Sequence, residues 1–214
     1  GCTLGAKASA DVTYWPKAQA KGAVIRPHAR VREVTVGRDG LVDGAIYYDA
    51  GGGVHRQRAR IVVMACNGIG TPRLLLNSRS SLFPDGLANS SGLVGKNLMF
   101  HSAAFVTGVF DEDLEGYKGP AACSIFSHQF YETDPARDFV RGYGLQVVRS
   151  SGPANSALGG PGGHTVPWGE EHHGVFAERF GRSITIAVLG DDLPEPHNRV
   201  TLDPDLTDGQ GIPA

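Results

Sequence analysis

The sequence predicts an α/β layer followed by an α+β region built on an antiparallel sheet. Three observations carry that reading. The stretch Val62–Ser78, VVMACNGIGTPRLLLNS, passes from an apolar run through two glycines and a Thr-Pro pair into a leucine-rich segment. That is the order of a buried strand, a tight turn and a helix. Beyond it, strand-like runs alternate with long loops and only one helical pattern, which points to antiparallel pairing. Thirty glycines and thirteen prolines supply the turns such a layout needs.

Taken in order, the first 22 residues mix small residues with a Tyr-Trp pair and a short helical pattern, PKAQAKG. Three strands follow: Ala29 to Val36, then Leu41 to Asp49 after the turn GRDG, then His55 to Ala65 after AGGG. Val42, Ile46 and Tyr48 keep the period of two of a half-buried strand. The third strand changes character midway, from the polar, edge-like HRQRAR to the continuous apolar IVVMAC. Thr71 stands where a helix N-cap belongs and Pro72 at the first helical position. The helix should end before RSSLFPDG.

The domain boundary is expected within Arg79 to Lys96, dividing residues 1–85 from 86–214. In the second part strands are expected at Ser102–Phe110, Ala122–Tyr131, Gly142–Arg149, Ser183–Leu189 and Asn198–Leu202. The helix of this part is GEEHHGVFAERFG.

Bulk properties exclude several classes. With a formal net charge of −2 there is no electrostatic case for nucleic acid or an anionic membrane. No apolar run approaches the roughly 18–20 residues that span a bilayer. Cys2, Cys66 and Cys123 are too scattered for a disulfide framework or a zinc set. The chain opens on Gly1 without a signal-peptide pattern and closes on TDGQGIPA, and is read as the middle of a longer protein. Localisation is left open.

A strand, a glycine turn and a helix in succession are a common way to hold a nucleotide. The full Gly-x-Gly-x-x-Gly fingerprint is nonetheless absent: Gly68 and Gly70 fill the first two places, but Arg73 stands at the third. A packing turn explains the motif by itself, and an NAD-dependent enzyme is disfavoured.

The wider neighbourhood adds to this. GCTLGAKAS, DVTYWPKA, GAVIRPHARVREV, VVMACNGIGTPRLLLNS and GLANSSGLVGKNLM occur in one order. Together they resemble the glucose–methanol–choline (GMC) family of FAD-dependent oxidoreductases, particularly its bacterial dehydrogenase-like members. GVFDEDLEGYKGP, FYETDPARDFVRG and DLPEPHNRVTLDPDLTDGQGIP are similar to its substrate-domain half. The resemblance implies part of an FAD-binding Rossmann-like domain followed by part of a substrate domain with an antiparallel sheet.

It also implies that Val31 holds the adenine through its backbone, and that Ala65, Cys66, Asn67 and Gly68 form the strand end and turn facing the cofactor. A strand's N–H and C=O can read an adenine edge without a special side chain. The sequence departs from the family pattern at Cys66–Gly70, at Arg79–Ser80 and at Phe100, which precedes His101. The pyrophosphate fingerprint is expected upstream, and the catalytic histidine with its partner C-terminal to Ala214. The implied reaction is oxidation of a CH–OH group of an alcohol or sugar by hydride transfer to flavin, with an electron-acceptor protein, a quinone or oxygen closing the cycle. The fragment alone is expected to be inactive.

Other constellations read more plainly. Glu170–His173, with His164 nearby, lacks zinc spacing and suits a solvated helix start, so no metal is expected. The carboxylates of DEDLEG, YETD and GDDLPEP suit solvated loops. The Gly-rich 150–164 stretch is either a surface loop or a gate over the site. A non-catalytic binding or interaction module derived from a flavoprotein stays open as the rival reading.

Overall fold

The computed structural model describes residues 8–118, 123–149, 152–160 and 163–214. The chain forms two units. One runs to Lys96 and takes in Arg199–Ala214; the other is Asn97–Asn198.

In the first unit, helix α1 (Ala10–Ala20) is longer than the predicted PKAQAKG turn, with Pro16 inside it and no buried residue. Strands β1 (Arg30–Val36), β2 (Val42–Tyr48) and β3 (Val54–Arg58) form an antiparallel sheet in that order. The β2–β3 turn is organised by Asp49, whose Oδ1 accepts the N–H groups of Gly51 and Gly53 at 2.8 and 2.9 Å. Its Oδ2 meets His55 Nε2 at 2.6 Å. That contact with His55, and the two amides, hold the Asp49 carboxyl below its ordinary value. Tyr47, rather than Tyr48, is the buried aromatic of β2, and it stacks on His55 with ring centres 5.2 Å apart.

The expected third strand is realised only in its polar half. Beyond Arg58 the apolar run belongs to no strand, and Ile61 and Val63 are 80% and 82% exposed. A strand covered on both faces needs neighbours to pair with, and the described residues offer this run none.

Helix α2 spans Asn67–Asn77, so it starts five residues before the expected Pro72 and ends where anticipated. Asn67 itself makes the turn. It takes a φ of 62°, which asparagine tolerates better than most residues. Its Oδ1 accepts the N–H groups of Ile69 and Gly70 at 3.0 and 3.1 Å. Thr71 instead accepts the Cys66 N–H at 3.2 Å. Pro72 lies inside the helix and removes the donor that Gly68's carbonyl would have had.

The end of α2 is tied to the free edge of β1 by one buried side chain. Ser78 Oγ accepts the Val34 N–H at 2.9 Å and donates to the Leu74 carbonyl at 2.6 Å. Val34, Tyr47, Leu87 and Ile212 are the buried apolar residues here. Ser78→Ala should leave the Val34 N–H buried without a partner, costing about 1–3 kcal/mol, read as a lower urea midpoint of the intact protein.

The second unit holds strands β4 (Ser102–Val109), β5 (Cys123–Ser127), β6 (Tyr143–Val148) and β7 (Ser183–Gly190), all antiparallel in the order β4-β7-β6-β5. Four of the five expected strands thus form. The short helix α3 (Pro153–Ala157) lies inside the Gly-rich stretch read as loop, and α4 (Glu170–Arg179) falls where the sequence placed a helix. On one face of the sheet Thr185 and Ala187 are buried. On the other, Val106, Ile125 and Ile186 are exposed.

The fifth expected strand, Asn198–Leu202, makes a single bridge instead, Lys96 to Arg199. The division also differs from 1–85 and 86–214, since residues 86–96 and 199–214 belong with the first unit. The reason is local: the Val200 N–H donates to the Gly95 carbonyl at 2.8 Å, and the last residues are tied to α2 by the contacts described next.

Candidate functional site

Two hollows of the first unit meet at Val31. One, of about 250 Å³, is lined by Ala29, Val31, Cys66, Arg73, Leu74 and Ile212 among others. The second, of about 510 Å³, is lined by Val24, Arg26, Val31, Ala45, Tyr47 and Gln57 among others.

Val31 reaches both because β1 is the edge of its sheet and is bulged there. The β1–β2 register slips between Val31 and Glu33, so that Arg32 is the extra residue. A bulge bends an edge strand and re-aims the groups beside it. Val31 is 40% exposed.

Cys66, immediately before α2, lines the same hollow as Val31 and is a free, exposed cysteine. The structure therefore brings these two together from positions far apart in the chain. Ala65, Asn67 and Gly68 flank Cys66 and are exposed, but do not line the hollow. A Cβ placed on Gly68 would meet nothing within 4 Å, so no neighbour in the described structure requires glycine there.

The wall opposite is held by a residue that sequence reasoning noted only as a failed glycine. Arg73 donates from Nε to the Pro213 carbonyl at 2.7 Å and from one terminal nitrogen to the Ile212 carbonyl at 3.0 Å. The same nitrogen donates to Asp208 Oδ2 at 3.1 Å. Arg30 donates to that oxygen at 3.0 Å. The other carboxylate oxygen accepts the N–H groups of Gln210 and Ile212 at 3.0 and 3.1 Å. Desolvation acts to raise the Asp208 pKa, but the two amides and two guanidinium groups outweigh it and hold it at about 2. No local signal in the sequence links Arg73 to residues that lie so far along the chain.

Chemically the arrangement presents groups that can bind a ligand. It offers an edge-strand backbone, small or apolar side chains, and the polar side chains of Arg30, Arg32, Arg73 and Asn77. The Asp208 carboxylate is engaged by two guanidinium groups on one oxygen and two backbone amides on the other. Among the described residues no group of three or more His, Cys, Asp or Glu side chains is gathered to hold a metal ion. His172 Nδ1 lies 3.1 Å from the Pro167 carbonyl, and its ring stands at 82° to that of His173. No described helix is long and apolar enough to cross a membrane.

Comparison with known proteins gives this geometry its setting. Residues 1–103 match the model of the GMC oxidoreductase family. The chain is 46% identical over 216 residues to a 2-methyl-1,2-propanediol dehydrogenase of Mycolicibacterium austroafricanum, covering 100% of this chain and 39% of that protein. It is 29% identical over 197 residues to the fructose dehydrogenase large subunit of Gluconobacter japonicus, 92% of this chain and 36% of that one. It is 35% identical over 219 residues to a 6'''-hydroxyparomomycin C oxidase of Streptomyces lividus, 100% of this chain and 36% of that enzyme. The chain thus spans well under half the length of these relatives. With the family model covering Val31 and Cys66, and dehydrogenases and an oxidase among its relatives, the chain belongs to the GMC oxidoreductase family, whose members depend on FAD.

Proposed function

We propose that this chain supplies the adenine-side wall of an FAD site, together with part of a substrate domain, in an enzyme that oxidises a CH–OH group of an alcohol or sugar. The observation that carries the reading is the bulged, exposed edge of β1 at Val31, sharing a hollow with Cys66 inside the segment that matches the family.

The residues present fit the group. Val31 would hold the adenine through its backbone, because an edge strand keeps N–H and C=O groups unpaired within its plane. Ala65, Cys66, Asn67 and Gly68 would let the cofactor come close, Gly68 most of all, since open space surrounds the position its Cβ would take. The segment 203–214, held by Arg73 and Arg30 through Asp208, closes the hollow's far side. When bound, FAD supplies the hydride acceptor. This chain's own part is to bind and orient, and no group in it is assigned the substrate hydroxyl proton. That base is expected C-terminal to Ala214, so the chain alone should be inactive.

The exposed apolar face of the second sheet, with Val106, Ile125 and Ile186, suits the wall of a substrate domain. The relatives' names favour polyhydroxy substrates, from a small diol to fructose. A partner protein or a quinone is proposed as electron acceptor.

The test is a spectrum of the intact protein, taken anaerobically before and after alcohols and sugars are added. Bands near about 370 and 450 nm that bleach with one substrate are expected. A colourless protein that does not take up FAD leaves the interaction-module reading standing. Cys66 gives a residue-level check: FAD should slow its alkylation at least tenfold, followed by peptide mass mapping. An unchanged rate would remove Cys66 from the cofactor wall.

A further inference from the structure

A second site lies wholly within the second unit, on the sheet face away from exposed Val106 and Ile186. Helices α3 and α4, residues 159–160 and 164–166, and strands β4 and β7 line a cavity of about 30 Å³. That is about twice what one ordered water needs, and suits a ligand of three or four heavy atoms.

Its polar lining is unbalanced. His164 Nε2 and Arg179 Nε are both buried within it and neither has a hydrogen-bond partner. The guanidinium Nε–H can only donate. No carboxylate lines the cavity, and Arg179 forms no ion pair with any described acidic residue. Thr107 and Thr185 share a hydrogen bond at 2.8 Å, which uses only one of their two hydroxyl protons. The other remains for a third acceptor. Two unpartnered ring and guanidinium nitrogens thus face a space whose other polar groups are hydroxyls and whose lining holds no carboxylate, beside the apolar side chains of Val166, Val175 and Phe176.

The loop carrying His164 is closely built. Gly159 is buried with a φ of +106°, and the His164 N–H donates to its carbonyl at 3.1 Å. A Cβ on Gly159 would lie 2.3 Å from the His164 carbonyl oxygen, so only glycine allows this approach. His164 and Arg179 line the same cavity.

We propose that this cavity is a binding site for a small monocarboxylate of acetate size, its oxygens accepting from Arg179 Nε–H and His164 Nε2–H and its methyl group resting on Val175 and Phe176. Water would satisfy the hydrogen bonds there, whereas a carboxylate also adds an ion pair to a half-buried guanidinium that meets no described acidic residue. The site is separate from the hollow at Val31 and does not depend on flavin being bound.

Saturation-transfer NMR on the intact protein, titrating acetate at constant ionic strength, tests this. Saturation of the acetate methyl signal is expected at millimolar concentration, with chloride competing at least tenfold more weakly. Arg179→Gln should weaken acetate at least tenfold, and Arg179→Lys should restore part of the loss. Val175→Met fills the space from α4 without touching either nitrogen, and should abolish the signal while far-UV circular dichroism and Tm stay at wild-type values. That variant keeps the test decisive if loss of Arg179 unfolds the unit. No transfer to acetate, equal competition by chloride, or undiminished binding in the Gln and Met variants would each overturn the site and leave a cavity that holds water only.

Discussion

Replacing Arg73 with methionine is expected to cost about 3 kcal/mol, a loss set by what the guanidinium leaves behind. Its side chain is only 19% exposed, and it satisfies two backbone carbonyls and one carboxylate. Methionine keeps much of the volume and none of the donors, so the Ile212 carbonyl is left with the Asp208 N–H at 2.9 Å, the Pro213 carbonyl with the Asn77 amide at 3.5 Å, and Asp208 with Arg30 and two amides. The lower urea midpoint should be accompanied by faster proteolysis within 203–214. An unchanged cleavage rate there would mean that the segment is held by its own internal bonds, such as Asp203 N–H to the Ala214 carbonyl.

Asp208 gives the same cluster a pH signature. Its folded-state pKa of about 2 lies below the ordinary 3.8. Its stabilisation is therefore complete above the ordinary value and is lost as pH falls through about 2. With its side chain a fifth exposed, the contribution is about 1–2 kcal/mol after solvent screening. Asp208→Asn should lose that amount at neutral pH and flatten the stability profile between about pH 4 and 2.

The second large effect belongs to Gly95. Its φ is +84°, and a Cβ there would sit 2.4 Å from the Val200 carbonyl oxygen, a backbone atom that cannot swing aside. Gly95→Ala should cost about 3–4 kcal/mol, combining left-handed strain with displacement of the returning segment. Gly92 isolates the two contributions. It has a φ of +65° and nothing within 4 Å of its notional Cβ, so Gly92→Ala should cost only the conformational part, about 1 kcal/mol. Equal losses at the two sites, compared by urea unfolding, would show that the chain can yield around Val200.

What could be read from the sequence divides along physical lines. The strands of the second unit were legible because apolar runs bounded by turn residues are local signals, and α4 because acids gather at its start. The apolar half of the third strand was misplaced because pairing is a property of neighbours, not of a segment. The start of α2 was misplaced because Asn67 adopts a left-handed conformation that frees Thr71 and Pro72 from the work expected of them. Tying 199–214 to the first unit needs Arg73 and Asp208 to meet, and no periodicity carries that information. Val31 and Cys66 came from family resemblance. Their shared hollow came only with the fold, as did Arg73, which the sequence showed merely as the wrong residue for a fingerprint.

Where the chain leaves the first unit and where it comes back are next to each other. Lys96 bridges Arg199, and just beyond, the Leu98 N–H donates to the Asn198 carbonyl at 2.8 Å. Everything between behaves as a cassette closed by one clasp. The entropy of closing so long a loop grows only with the logarithm of its length, so lengthening or shortening the cassette alters the frame's stability by only about 1 kcal/mol. A frame of this design can exchange one cassette for another without rebuilding its own core. A short glycine-serine turn joining Asn97 to Asn198 is accordingly expected to leave the three-stranded sheet and its Ser78 tie in place.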